Sequence, residues 1–188
     1  LVRAGVGTLG IVDKDVVDIT NLNRQLFATE DTVGIPKTEA ATKRLLLINP
    51  DLKIEKYNLF YLPETAHEID LSKYDFVVDC IDNVTAKLEL IEKCNALDVP
   101  VISSMGTGNK LHPEMLEISD ISKTSVCPLA RVMRRELKKR GINKLPVVYS
   151  KEEPVKTETA VPGSVSFSPP VAGYLMCSYV VRKILNID

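Results

Sequence analysis

The sequence predicts an α/β protein with a Rossmann-like, doubly wound and mainly parallel sheet. Short runs with the composition of strands alternate with helical patterns in the first half of the chain. This order predicts parallel strands joined by crossover helices. The run YDFVVDC (74–80) is almost continuously apolar. Such a run is typical of a central strand in a parallel sheet, because helices cover both of its faces.

The first predicted elements are a strand, a helix and a second strand. TLGIVD (8–13) has the composition of a strand, and LKIEKYN (52–58) alternates apolar and polar residues. Between them, IPKTEAATKRLLLIN (35–49) predicts a helix with Pro36 near its start and an apolar stripe along one side. The pattern continues with a strand over 74–80, a helix over TAKLELIEKCNAL (85–97) and a strand over VPVISS (99–104).

Beyond residue 105 the pattern is less regular and predicts a mixed, partly antiparallel extension. MLEISDI (115–121) and LPVVYS (145–150) are strand candidates on either side of a basic helix, CPLARVMRRELKKR (127–140). The polar segment SKEEPVKTETAVPGS (150–164) predicts a loop. PPVAGYLMCSYVVRKILN (169–186) predicts a final helix with apolar residues all round it. Such a helix favours burial in the core or at a subunit interface over membrane contact.

Composition excludes several broad classes of protein. The chain has 188 residues, 45% of them hydrophobic, and a formal net charge of −1, which predicts one ordinary globular domain rather than a general nucleic-acid or membrane binder. Its four cysteines form no C-x-x-C pair, as expected of reduced thiols in a cytoplasmic protein. The longest apolar run, 171–181, is too short to span a bilayer.

The stretch GVGTLG (5–10) has the spelling of a dinucleotide-binding fingerprint without its context. No strand precedes Gly5, and the residues after Gly10 form a strand that ends in Asp13, whereas the fingerprint needs a strand before it and a helix after it. We interpret the stretch as the end of a helix, with Gly5 or Gly7 as its left-handed cap. Asp13 itself has the place of a ribose-binding acid, although a solvated turn acid is an alternative.

Four short stretches carry the chemistry: DKDVVDITNLNRQ (13–25), GIPK (34–37), INP (48–50) and DCIDN (79–83). In this order and spacing they resemble the ThiF/MoeB family, which has the fold of the ubiquitin-activating enzymes. The resemblance implies ATP and Mg²⁺ as cofactors. It implies a ribose contact from Asp13, phosphate contacts from Asn21, Arg24 and Lys37, a Mg-ATP contact from Asp82, and Gln25 and Asn83 as neighbours, with Arg24, Lys37 and Asp82 as the catalytic residues.

The chemistry of these residue types agrees with the implied contacts to ATP and Mg²⁺. Arg24 offers a planar fork to phosphate oxygens and Lys37 a point charge. Asp82 follows the strand 74–80, so it should lie at the carboxyl edge of the sheet, and Mg²⁺ prefers such oxygen ligands. The alternatives are two surface cations and an Asp82 that caps the helix starting near Thr85. Asp79 is expected to be structural.

One branch of the family is especially similar, the tRNA threonylcarbamoyladenosine dehydratases. The similar stretches are LVRAGVGTLGIVDKDVVDITNLNRQ, DISKTSVCPLARVMRRELKKRGI, VVYSKEEP and PGSVSFSPPVAG. The resemblance implies ATP-dependent activation of the threonylcarbamoyl carboxylate on a tRNA adenosine beside the anticodon, followed by dehydrative cyclisation. Candidate contacts to the tRNA backbone are Arg131, Arg134, Arg135, Lys138 and Lys139, although a solvated basic helix face explains them equally well.

A second hypothesis is an adenylyltransferase that activates a sulfur-carrier or ubiquitin-like protein, which would then be a partner. Cys127 is the one plausible thioester cysteine, since it begins a helix, but a structural cysteine is favoured. Without C-x-x-C pairs, no zinc is expected. A nicotinamide dehydrogenase lacks its fingerprint here, and a hydrolase using Ser103 or Ser104 with His112 lacks a G-x-S-x-G elbow.

The phosphate loop that the family places between its first strand and first helix is not found in these residues. We therefore expect a single ThiF-type adenylating domain, 1–188, that lacks its upstream part and binds ATP poorly by itself. The family habit and the apolar last helix favour a homodimer.

Overall fold

The computed structural model describes residues 1–158 and 162–187. The chain divides into two compact units, one from Leu1 to Ile69 and one that starts at Asp70. Residues 159–161 of the predicted loop 150–164 lie outside the described residues. The described remainder of that loop contains neither helix nor strand beyond Ser150, as the sequence predicts.

The first unit contains the predicted strand, helix and strand. β1 (Thr8–Val12) pairs in parallel with β2 (Lys53–Tyr57), and α1 (Lys37–Leu46) connects them. The core of this unit gathers buried Val17, Ala28 and Ala40. Two parallel strands joined by one helix are a unit of the predicted Rossmann-like fold.

The opening stretch is a helix end, as its context predicts. Val2–Ala4 form a short 3₁₀ helix that ends at Gly5, whose φ is 95°. Glycine adopts this left-handed conformation without a Cβ clash. The chain then enters β1, so GVGTLG leads into a strand and does not open a helix.

The second unit has a four-stranded mixed sheet with the strand order β3-β4-β6-β5. Its strands are β3 (Val77–Asp79), β4 (Val101–Ser104), β5 (Leu116–Asp120) and β6 (Pro146–Ser150). β3, β4 and β6 run parallel, and β5 is the antiparallel edge strand. The mainly parallel pairing and the antiparallel extension are thus confirmed, with the strands divided between two sheets.

Three helices belong to the second unit: α2 (Val84–Ala96), α3 (Pro128–Lys139) and α4 (Ser168–Ile184). Met133 and Leu137 of α3 are fully buried in a core that includes Ile91 of α2 and Tyr149 of β6. The amphipathic pattern of α3 is therefore confirmed.

The last helix is buried along one face within the chain, so burial of its other face at a subunit interface stays a prediction. Ala172, Met176 and Val180 recur every four residues and are buried, whereas Tyr174 is 66% exposed. One face of α4 therefore packs on the sheet while the other stays open. No described helix is long and apolar enough to cross a membrane.

Candidate active site

The first group of predicted site residues gathers around Lys37, the first residue of α1. Its Nζ lies 3.0 Å from Asp15 Oδ2 and 3.7 Å from Asp13 Oδ2. The side chain of Lys37 is only 13% exposed, so the ammonium group is held in place. The structure thus brings Asp13 and Lys37 together, as predicted, and adds Asp15. Asp15 was not predicted from the sequence, although the Asp-Lys-Asp spacing at 13–15 was the available signal.

Backbone pairing explains why these residues meet. The Lys37 N–H donates to the Asp15 carbonyl at 2.9 Å, and the Val17 N–H donates to the Ile35 carbonyl at 2.8 Å. Gly34 has a φ of 83°, which turns the chain into this pairing and favours glycine. The backbone hydrogen bonds of the GIPK stretch therefore place Lys37 opposite the carboxylates of Asp13 and Asp15.

The loop between β1 and α1 is built on reciprocal hydrogen bonds between Asp18 and Asn21. The Asn21 Oδ1 accepts from the Asp18 N–H at 3.1 Å, and the Asp18 side chain accepts from the Asn21 N–H in return. The Asp18 Oδ1 also accepts from the Thr20 N–H at 2.8 Å. Hydrogen bonds from the Thr20 hydroxyl and N–H hold the pKa of Asp18 below its ordinary value. Asn21 is buried, so its amide oxygen shapes the loop.

Arg24 and Gln25 follow directly in the same loop. Arg24 Nη1 donates to the Thr20 carbonyl at 2.9 Å and to Asn23 Oδ1 at 2.8 Å. These bonds fix the guanidinium group and leave its other nitrogen atoms for a ligand. Gln25 Oε1 is buried without a hydrogen-bond partner among the described residues. A buried acceptor of this kind normally has a partner, so the loop has unused hydrogen-bonding capacity.

The second group of site residues lies at the carboxyl edge of the four-stranded sheet. Asp82 is exposed in the loop after β3, and its carboxylate has no hydrogen bond or ion pair with any residue that the structure describes. Ligands of open α/β sheets bind at this edge. The predicted position of Asp82 is therefore confirmed.

Asn83, and not Asp82, caps helix α2. Its Oδ1 accepts from the Ala86 N–H at 3.0 Å. The helix cap considered for Asp82 from sequence is therefore wrong, because the neighbouring asparagine fills that place. Asn83 has a structural task that does not depend on a ligand.

A buried polar cluster lies directly behind the Asp82 loop. Lys87 Nζ is 2.8 Å from Asp79 Oδ2 and 3.2 Å from Ser103 Oγ, and the Ser103 hydroxyl also donates to Asp79. All three residues have 0% exposure. Asp79 is structural, as expected. The part played by Lys87 was missed, although this lysine shares a helical stripe with Ile91 and Cys94.

The loop after β4 is tied to the segment after β6. The Glu152 carboxylate accepts from the N–H groups of Leu111 and His112 at 2.8 and 3.0 Å, and the Asn109 Oδ1 accepts from the Gly163 N–H at 2.7 Å. The His112 ring pairs with Glu114 at 2.9 Å, and Ser103 bonds to Asp79. These serine and histidine side chains therefore do not form a nucleophile and base.

The basic helix α3 presents a partly neutralised surface. Glu136 accepts from Lys139 and Arg135, which lower its pKa to about 2. Arg134 Nη1 donates to the Thr124 carbonyl at 2.6 Å, so this arginine anchors the preceding loop. The exposed cations of the predicted tRNA-binding set are Arg131, Arg135, Lys138 and Lys139.

Cys127 is the N-cap residue of α3 and is only 2% exposed. It belongs to the same core as Met133 and Ile121. A carrier protein cannot reach a sulfur in this environment without local opening. The position therefore agrees with the favoured structural role.

The two groups of residues offer different chemistry, each within its own unit. In the first unit, Lys37 and Arg24 supply positive charge of the kind that phosphate oxygens bind. In the second unit, the Asp82 carboxylate, which has no partner among the described residues, offers oxygen of the kind that hard divalent cations prefer. Among the described residues, no three His, Cys, Asp or Glu side chains gather into a metal site of their own.

Comparisons with known proteins identify the family of this chain. The model of the ThiF family matches residues 1–188. The tRNA threonylcarbamoyladenosine dehydratase of Bacillus subtilis is 39% identical over 99% of this chain and 80% of its own length. The Escherichia coli protein of the same name is 34% identical, and that match covers 73% of this chain and 52% of the relative.

Solved structures give the same assignment. The E. coli tRNA N6-threonylcarbamoyladenosine dehydratase, TcdA, in complex with AMP matches with a TM-score of 0.92 and 29% identity, over 98% of this chain and 78% of that chain. The ATP complex of the same protein has a TM-score of 0.89 and 28% identity, with the same coverage. Because the family model spans the sequence and the fold agrees with it, the chain belongs to the ThiF family.

Proposed function

We propose that the protein is an ATP-dependent tRNA threonylcarbamoyladenosine dehydratase. The observation that carries this proposal is the 39% identity to the Bacillus subtilis dehydratase over 80% of that protein. The AMP and ATP complexes of the E. coli relative support a nucleotide site here. The substrate is the threonylcarbamoyl group on an adenosine beside the anticodon of tRNA.

Each site residue has a part in this proposal. Asp13 holds the ribose, Lys37 and Arg24 neutralise phosphate oxygens, and Asp82 holds Mg²⁺. The Lys37 ammonium group lies between two carboxylates, which keeps it ordered before the ligand arrives. Gln25 has a buried acceptor with no partner among the described residues and can receive a donor from the ligand.

ATP supplies the adenylyl group that converts a carboxylate oxygen into a leaving group. The chain's own residues position the reactants and neutralise the developing charge on phosphorus, which needs little covalent chemistry from the protein. Adenylation of the carboxylate would release pyrophosphate. A carbamoyl nitrogen or oxygen of the same modified base would then attack the activated carboxyl carbon and expel AMP and a proton, so that a five-membered ring closes and the modified base loses the elements of water overall.

The remaining parts of the proposal concern assembly and partners. The exposed cations of α3 contact the tRNA backbone, and the open face of α4 joins two copies into a homodimer in the cytoplasm. We place residues 1–188 in one adenylating domain. The exposure of Tyr174 and of the α3 cations supports these assignments.

The test is nucleoside mass spectrometry of tRNA from cells that lack the gene. We expect the cyclised nucleoside to disappear and its open-chain precursor to accumulate. Reintroduced wild-type gene should restore it, and Asp82→Asn should not. Asp75→Asn is the matched control, since Asp75 is also exposed but precedes β3. Persistence of the cyclised nucleoside in the deletion strain would refute the proposal.

A second candidate is activation of a sulfur-carrier or ubiquitin-like protein. It rests on 36% identity to the adenylyltransferase and sulfurtransferase UBA4 of Candida glabrata, over 68% of this chain and 29% of that protein. The burial of Cys127 speaks against thioester transfer. Co-purification of a small protein ending in Gly-Gly, together with loss of transfer in Cys127→Ala, would establish this alternative.

A further inference from the structure

The cluster of Asp79, Lys87 and Ser103 is buried at a cost in desolvation free energy. Each member is fully buried, and removing charges from water costs free energy that an ion pair only partly returns. Replacing such a pair by apolar side chains often leaves stability unchanged or raises it. A gain in folding stability therefore does not explain why a lysine occupies this position on the buried face of α2.

The cluster has a direct connection to the loop that carries Asp82. One carboxylate oxygen of Asp79 takes the Lys87 ammonium group at 2.8 Å, and the other accepts from the Ile81 N–H at 3.0 Å. The parallel register of β3 and β4 pairs Asp79 with Ser103, which fixes the carboxylate from the side. Asp79 therefore joins the fixed core to the first turn of the loop.

The far end of the same loop is fixed as well. Asn83 caps α2 through the Ala86 N–H at 3.0 Å, and the Lys87 N–H donates to the Asn83 carbonyl at 3.0 Å. Asp82 lies between these two attachments, with no partner of its own among the described residues. The loop is thus held on both sides of the one exposed carboxylate.

We propose that Lys87 and Asp79 are positioning residues that hold the Asp82 carboxylate in place for the Mg²⁺ of the bound nucleotide. This inference rests on the proposed function. Lys87 orients the Asp79 carboxylate, Asp79 holds the Ile81 N–H, and the loop then presents Asp82 in one conformation. Groups that orient a ligand residue in this way usually change metal affinity or activity by about 10–100-fold when they are lost.

The first test compares Lys87→Met with Lys93→Met. Lys93 lies on the same helix and pairs with Glu89 at 3.6 Å, but its side chain is 34% exposed, so it controls for the loss of a helix lysine. We expect Lys87→Met to raise the Mg²⁺ concentration for half-maximal dehydratase activity by about tenfold or more. The KM for tRNA should stay at its wild-type value, and Lys93→Met should behave as wild type. A folded Lys87→Met variant with a wild-type Mg²⁺ requirement would overturn the proposal.

Two double variants keep the test decisive if the single variant fails to fold. Asp79→Asn with Lys87→Met and Asp79→Leu with Lys87→Met both remove the buried charges, but only the asparagine keeps an acceptor for the Ile81 N–H. We expect the leucine variant to need a clearly higher Mg²⁺ concentration for half-maximal activity than the asparagine variant, by about tenfold, because only the asparagine still holds the Ile81 N–H. Equal behaviour of the two would refute a positioning role.

Amide hydrogen exchange at Ile81, without any substrate, separates this inference from the proposed function. Exchange should be faster in the leucine double variant than in the asparagine one. If wild-type protein shows no dehydratase activity while this difference is present, only the proposed function fails. If the activity is present and the exchange rates are equal, only the positioning role fails.

Discussion

At the scale of single residues, the Lys37 ammonium group is the centre of the charged group in the first unit. It faces Asp15 at 3.0 Å and Asp13 at 3.7 Å, and two carboxylates beside one ammonium group leave a local negative charge. A bound phosphate would therefore need both Lys37 and a further cation such as Arg24 or Mg²⁺.

Substitution of Lys37 should abolish most of the activity. We expect Lys37→Met to lower kcat/KM for ATP by about 100-fold or more, because a preorganised charge at phosphorus is lost. Lys43→Met on the exposed side of the same helix should retain wild-type kinetics. Steady-state kinetics with saturating tRNA and varied ATP measure kcat/KM for both variants. Near-wild-type activity of Lys37→Met would contradict the proposed role.

The ion pair between His112 and Glu114 should be detectable in the titration of the His112 ring. The hydrogen bond to Glu114 raises the pKa of His112 above its ordinary 6.5. The pair therefore stabilises the folded state below the unfolded pKa, and this contribution disappears as pH rises through the folded pKa. NMR of the ring protons should give a pKa above 6.5 for wild type and a lower one for Glu114→Gln. Identical titration curves would show that the pair does not form in solution.

The individual contacts show what sequence could and could not predict at this scale. Asp13 and Lys37 were expected on one site because their motifs are ordered as in the family, and they do meet. Asp15 was missed because the choice between the acids at 13 and 15 depends on how the loop folds against GIPK. Lys87 was missed because a lysine in a helix is usually solvated, and its partner Asp79 lies on another element.

At the scale of elements, apolar periodicity gave helix and strand positions to within a few residues. α1 covers Lys37–Leu46 of the predicted 35–49, and α2 covers Val84–Ala96 of the predicted 85–97. β3 covers only Val77–Asp79 of the predicted run 74–80, and a 3₁₀ turn, Leu71–Lys73, ends at Tyr74. The open face of α4 was not predicted, because apolar residues around a helix do not reveal which of them find a partner.

The charges of α3 should govern the salt dependence of tRNA binding. We expect Arg131→Gln with Lys138→Gln to weaken binding and to reduce the slope of log K against log salt by about 1 to 2. Lys43→Gln with Arg44→Gln, two exposed cations of α1, is the control for the loss of two charges. Filter binding across a salt series measures both pairs, and an equal effect of the two pairs would argue against a specific contact from α3.

At the scale of the whole molecule, the exposed face of α4 predicts self-association. Tyr174 is 66% exposed and Leu185 is 60% exposed, and exposed apolar groups of this size often mark interaction sites. Analytical ultracentrifugation should find a dimer for the wild type and a weaker dimer for Tyr174→Glu. Leu47→Glu, at a leucine that is 83% exposed on the first unit, should leave association unchanged. A monomeric wild type would contradict the homodimer.

The strand order of the second sheet also determines when that unit can fold during synthesis. β6 lies between β4 and β5, although β5 precedes it in the chain. A chain emerging from the ribosome therefore exposes the hydrogen-bonding edge of β4 until residues 146–150 have appeared. Open strand edges invite pairing with other chains, and pairing between distant segments is slow. The position of β6 thus leaves one strand edge of the nascent second unit open until the last strand of its sheet has been made.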